Sequence, residues 1–173
     1  MPSAKASRSQ PLASAAYRVR IPVSSITARV ASVTVTNQGT AAAGQFWVDL
    51  FINPSAPPTQ ANVVWNQTCT LSPCYGIAWL VTNGLAPGAS ITLTSQSLPA
   101  GYSVWPGYFA AGTTDLYVYA DSWNPGVATG AVAESNETNN SAHLGGLTVT
   151  GPNPSPVGPT DADLRQRPAP GKQ

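Results

Sequence analysis

Glu134, Asn136, Glu137, Asn139 and Asn140 fall within seven residues, in the stretch "ESNETNN", and Asp121 stands a short way upstream. So many oxygens and amides in a chain that otherwise avoids charge suit four chemistries. Two carboxylates can act as general acid and base, but one must then lie in an apolar pocket that raises its pKa, and an exposed turn rarely provides one. Six to eight oxygens can hold Ca²⁺, and Asp121, Glu134, Asn136, Glu137 and Asn139 supply several, although the spacing is not that of an EF-hand. Asn66, Asn136 and Asn139 each open a glycosylation sequon, a match that arises easily in an Asn- and Thr-rich chain. The fourth chemistry is structural: side chains of this kind satisfy backbone groups that no sheet partner reaches. The residues favour this last reading, a clasp in which Asp121 is hydrogen-bonded to Asn139 or Asn140, with Ca²⁺ as the alternative.

Other reactive groups are few. His143 is the single histidine, too little for a zinc site or a convincing nucleophile–base pair. Neither a Gly-x-Ser-x-Gly elbow nor a phosphate loop is present, so no enzyme is expected. Cys69 and Cys74, in "TCTLSPCYG", are spaced for a disulfide across a tight loop, the alternative being two separate thiols. A ring so small constrains the unfolded chain by only about 2 kcal/mol, and a paired state implies an oxidising compartment. Of five tryptophans, Trp79 is the best core candidate. Trp105 and Trp123 lie in the loops "SVWPGYF" and "DSWNPG", where exposed rings beside amides would stack on sugars or anchor a protein. The competing expectation is that they fold back over the ends of the sheets.

The elements that must position these residues are short. The chain has 173 residues, 42% hydrophobic and only 9% charged, with 15 Gly and 17 Pro. One domain with tails is expected, built from strands and turns. "VASVTVT" alternates, "QFWVDLFIN" sets Phe46, Val48, Leu50 and Ile52 against a second, partly covered face of Trp47, Asp49 and Phe51, and "YGIAWLVT" groups Tyr75, Ile77, Trp79 and Val81. Val63 to Thr68 predicts a short strand, and "PAGYSVWPGYFAAG" a long loop. "TDLYVYAD" turns Leu116, Val118 and Ala120 inward, and "HLGGLTVT" closes the series. "YRVRIPV" is at best an edge strand because of Pro22 and its arginines. About seven strands without helical periodicity predict an antiparallel β-sandwich.

Charge is uneven. No Lys or Arg lies between Val30 and Thr160, a span holding Asp49, Asp115, Asp121, Glu134 and Glu137. Such a core cannot neutralise phosphates, which excludes nucleic acid as a partner. No apolar run is long enough to span a membrane. Residues 1–29 read as a disordered basic segment with an irregular first strand, 30–150 as the sandwich, and 151–173 as a Pro-rich linker or tail, with both tails flexible.

With these pieces placed in order, the chain resembles CARDB, the cell-adhesion-related domain found in bacteria. "VTVTNQGTAAAGQFWVDLFIN" resembles that family's Asn-x-Gly turn between strands, and "LAPGASITLT" its Leu-x-Pro-Gly turn. "AGTTDLYVYAD" resembles its penultimate strand and "VAESNETNN" its closing signature. The resemblance covers Val33 to Val149. It implies an immunoglobulin-like, non-enzymatic module of bacterial or archaeal surface and secreted proteins, acting in adhesion or as a structural spacer. Its partner would be a protein or polysaccharide at the cell surface. The rival role is a carbohydrate-binding module using Trp105 and Trp123. The front departs from the family pattern: "YRVRIPVSSITARVAS" replaces the usual opening strand and lacks its Gly. An edge left unpaired there would invite self-association.

Overall fold

A computed structural model describes residues 16–20, 32–68, 76–94, 103–104, 112–149 and 167–170. Eight strands are described, one of only two residues: β1 (Tyr17–Arg20), β2 (Ser32–Asn37), β3 (Phe46–Ile52), β4 (Gly76–Val81), β5 (Ser90–Thr94), β6 (Ser103–Val104), β7 (Gly112–Ala120) and β8 (Ser141–Val149). All pairings are antiparallel. One sheet runs β1-β2-β5 and the other β6-β4-β3-β7-β8. Packed face to face, they form the immunoglobulin-like sandwich that the alternation predicts.

Alternation decides what lies between the sheets. Val33 and Val35 face inward from β2, Phe46, Val48 and Leu50 from β3, Ile77, Trp79 and Val81 from β4, and Leu116, Val118 and Ala120 from β7. Trp79 is fully buried, and its indole N–H donates to the Thr94 carbonyl at 3.1 Å. The opening strand is present. Tyr17 pairs with Asn37, its ring is buried, and it packs on Phe46 at 4.6 Å between centroids. β1 is therefore the outer strand of the smaller sheet, supplied from the span read as a basic N-terminal segment.

Asn37, the first residue of the Asn-x-Gly turn, is fully buried. Its amide nitrogen donates to the carbonyls of Ala41 (2.8 Å) and Leu85 (3.0 Å), and its oxygen accepts from the N–H of Gly39 (2.9 Å) and of Ala16 (3.4 Å). Ala43 and Leu85 exchange backbone hydrogen bonds beside it, joining this turn to the Leu-x-Pro-Gly turn.

The larger sheet is covered on its outer face too. Trp47, Phe51, Ala78, Leu80 and Tyr119 project there and bury against Val64, Trp65 and Trp123. The strand predicted over Val63 to Thr68 is replaced by a 3-10 turn at Trp65–Gln67. The turn lays Val64 and Trp65 onto the sheet, and that burial outweighs β propensity. Gly76 makes the approach feasible, since a Cβ there would overlap the Trp65 ring. The long loop predicted before β7 likewise contains β6, which pairs with the start of β4. Among the described residues no helix is long and apolar enough to cross a membrane.

Candidate functional site

The oxygen-rich stretch lies between β7 and β8. At the end of β7 the chain turns sharply, with Asp121 in the left-handed region at φ 54°. Asp tolerates this region better than most non-glycine residues, because its short side chain can bond to nearby backbone. Here the Asp121 carboxylate accepts the N–H groups of Ala131 and Val132, each at 2.8 Å, and is itself fully buried. Gly130 allows this closure, because a Cβ at that position would collide with the carboxylate. Asp121 thus binds backbone N–H groups, not the side chains of Asn139 or Asn140 as the sequence predicts. The strand ends are joined instead by backbone, the Ala120 N–H donating to the Asn140 carbonyl at 2.7 Å.

Glu137 is also engaged. Its Oε1 accepts the Glu134 N–H at 3.2 Å and its Oε2 lies 3.4 Å from the Asn140 amide nitrogen. Asn136 closes a local turn, accepting the N–H (2.9 Å) and hydroxyl (2.6 Å) of Thr138. Five buried oxygens in this region make no hydrogen bond of full geometry: both of Glu134, which the Asn140 side chain meets only marginally, the amide oxygens of Asn139 and Asn140, and the Tyr17 hydroxyl.

Electrostatics follow from that arrangement. Burial, reinforced by the charges of Glu137 and Asp121, pushes the Glu134 carboxyl up to about 8. Burial also raises Asp121, to about 6, against the opposing effect of the N–H groups of Ala131 and Val132. Tyr17 and Tyr119 are raised by burial and by the nearby carboxylates. A protonated Glu134 would serve as a hydrogen-bond donor. A cation would serve the same orphaned oxygens by replacing the proton. Among the described residues, however, no group of three or more His, Cys, Asp or Glu side chains is arranged to hold a metal ion. Of the Ca²⁺ candidates, Glu134, Asn139 and Asn140 are those with buried oxygens left without a full hydrogen bond.

A second constellation was not foreseen. Arg167, in the span read as linker or tail, is buried on the outer face of the larger sheet. Its Nη1 lies 2.6 Å from Oδ1 of Asp49, and neither side chain is exposed. The guanidinium carbon is 4.6 Å from the ring centre of Trp123 and 5.2 Å from that of Trp47. Both indoles complete the contact, Trp47 donating to the Pro168 carbonyl at 3.0 Å and Trp123 to the Arg167 carbonyl at 3.2 Å. The Ser122 hydroxyl adds a bond to Asp49 Oδ1 at 2.8 Å.

This overturns two expectations for particular residues. Arg167 to Pro170 are not a free tail, because a buried Asp49 requires a cation and the core contains none. Trp123 is only 4% exposed, so its ring stacks on Arg167 and is not offered to a ligand. Trp105, Cys69 and Cys74 lie outside the described residues, as do residues 1–15, and the Asn66 side chain is likewise undescribed. A signal for the latch did exist. An acid on the covered face of β3, in a stretch devoid of Lys and Arg, had to draw its partner from one end of the chain.

The CARDB family model matches residues 21–143, ending before the latch and beginning after β1. Among solved structures, a CARDB domain from Pyrococcus furiosus, crystallised in complex with di-metal ions, is 20% identical. The match covers 82% of this chain and 100% of that one, with a TM-score of 0.48. No curated protein matches the chain.

Proposed function

We propose, from the premise that the chain belongs to the CARDB family, that it is a non-catalytic extracellular module serving as a structural spacer or adhesion domain of a bacterial or archaeal surface protein. One observation carries this reading: the sandwich is gripped by a segment on each side of it in sequence, β1 before and Arg167 after. β1 is hydrogen-bonded along β2, and Arg167 is locked on the opposite sheet by a buried ion pair and two indoles. A domain held at both ends transmits load between its neighbours without straining its loops. The clasp at Asp121 serves the same end by fixing the β7–β8 connection, and the carboxylates it uses are occupied by backbone and amide groups. The partner on this reading is a protein or polysaccharide at the cell surface.

Pulling the full chain between Met1 and Gln173 tests the reading. Release of Arg167 should give a first extension of up to about 60 Å, the stretched length of the chain back to Val149. Unfolding of the sandwich should follow at higher force, and Arg167→Ala should lack the first step. A glycan array separates the carbohydrate-binding rival: sugar binding lost in Trp105→Ala, with Trp123 left in place because its ring is held by Arg167, would favour it over the spacer.

The orphaned oxygens of Glu134, Asn139 and Asn140 support a second reading, in which the β7–β8 stretch takes Ca²⁺ as a structural ion. Ca²⁺ at 100 times its dissociation constant would add about 2.7 kcal/mol. A melting temperature unmoved by Ca²⁺ or EDTA would leave the metal-free clasp.

A further inference from the structure

The contacts of this latch are made by Arg167 and Pro168, the first two residues of the four-residue segment Arg167–Pro170, with a pocket on the larger sheet. Trp47 and Trp123 wall the guanidinium, Asp49 meets its edge, and the indole N–H groups bind the carbonyls of Arg167 and Pro168. Two of the four, Pro168 and Pro170, lack an N–H, so the segment needs no sheet partner and is stiff before it binds. Nothing in this recognition depends on which chain supplies the segment.

Two further facts bear on the supplier. The pocket's acid must be met by a cation, and residues 30–160 contain neither Lys nor Arg, so only a chain end can serve. Arg167 follows the last residue of β8, Val149, by 18 positions. That length of chain stretches to about 60 Å, whereas a domain of this size has a radius of gyration of only about 13 Å. The arm can therefore reach a neighbouring copy. Exchange of an identical element creates no new contact and breaks none, which makes it a low-cost route to association.

We propose that the Trp47–Asp49–Trp123 pocket is an arginine receptor, and that it takes Arg167–Pro170 from a second copy of this chain when copies are concentrated. The closed form dominates in dilute solution because a tethered segment has a local concentration on the order of millimolar. Crowded copies exchange arms and become linked. The inference rests on the latch geometry alone and stands whether or not the spacer reading does.

Complementation of full-length variants tests it. Arg167→Ala keeps the receptor and loses the key, while Asp49→Asn keeps the key and impairs the receptor. Light scattering of an equimolar mixture should reveal a one-to-one heterodimer, with each variant alone remaining monomeric. A mixture of folded variants that stays monomeric would overturn the proposal. Association of Arg167→Ala with itself would also overturn it, by assigning contact to the sheet edges. Should Arg167→Ala not fold, the wild-type chain can be titrated with a labelled acetyl-Arg-Pro-Ala-Pro peptide carried to roughly tens of millimolar, above the local concentration of its own tethered arm. Saturable binding is expected, weakened at least about tenfold when the peptide's arginine is replaced by alanine, the loss expected for a charge-assisted contact. Equal binding of the two peptides, or none, would refute the receptor.

Discussion

Raising the pH should destabilise this protein, and Glu134 should be responsible for much of the effect. Burial, with the charges of Glu137 and Asp121, lifts its carboxyl from 4.5 to about 8. Between those values the folded state holds a proton that the unfolded chain has released, so stability is highest on the acid side and falls as pH rises. Asp121, lifted from 3.8 to about 6, adds to the fall at the lower end of the window. One pKa unit corresponds to about 1.4 kcal/mol. Glu134 is only partly buried, and water screens such a group. A net loss of about 1–2 kcal/mol between pH ~5 and ~8 is the reasonable expectation after that discount. For a chain of this length it lowers the melting temperature by roughly 2–8 °C. Calorimetry across the window should show the slope, and Glu134→Gln, which cannot ionise, should flatten it. If Ca²⁺ occupies the site it displaces the proton, and millimolar Ca²⁺ should abolish the slope in the wild type alone. The placement of Glu134 in a desolvated site would be refuted by a slope that Glu134→Gln leaves unchanged. It would equally be refuted if the wild type gained more stability than Glu134→Gln as pH rises.

Three other outcomes follow. Asp121→Ala strands two N–H groups and should cost about 2–4 kcal/mol by chemical denaturation, whereas Asp121→Asn, which retains one acceptor and tolerates the left-handed backbone, should cost less; equal costs would count against the clasp. Arg167→Ala leaves Asp49 charged and buried and should cost about 3–5 kcal/mol, while Asp49→Leu/Arg167→Leu, removing both charges, should recover most of that loss; a double variant as unstable as the single would show that packing, not the ion pair, holds the latch. Non-reducing mass spectrometry of oxidised protein should find a Cys69–Cys74 bridged peptide, and two freely alkylated thiols in protein isolated from the cell surface would exclude it.

Sequence and structure agree where a single face decides the outcome. β2 and β7 alternate because one side is covered by the opposite sheet, and in β3 and β4, which are buried on both faces, Phe46, Val48, Leu50, Ile77, Trp79 and Val81 still enter the core as assigned, with Ile52 only partly buried at its margin. Agreement fails where the partner is distant or is backbone. Trp65 carries strand propensity but lies in a 3-10 turn, because the outer face of β4 has a vacancy over Gly76 that its ring fills. Asp121 was legible as a clasp residue, but its partners were not: side-chain types do not reveal which N–H groups lack a sheet partner. Arg167 lies 118 residues from Asp49 and has no local pattern to announce it. Only the requirement that a buried acid be paired connects the two.

The position of Asn37 has a kinetic corollary. Its one amide bonds to the chain before β1, to its own turn and to the turn that precedes β5. The acceptor that receives Ala16 is thus oriented only after both turns have closed around Leu85. β1 therefore completes its hydrogen bonding only on a surface assembled from β2 and β5. Under native conditions its amide protons should exchange with solvent as a small separate unit, faster than those of β3, β4 and β7. Opening there would uncover Val33, Val35 and Phe46 without unravelling the larger sheet.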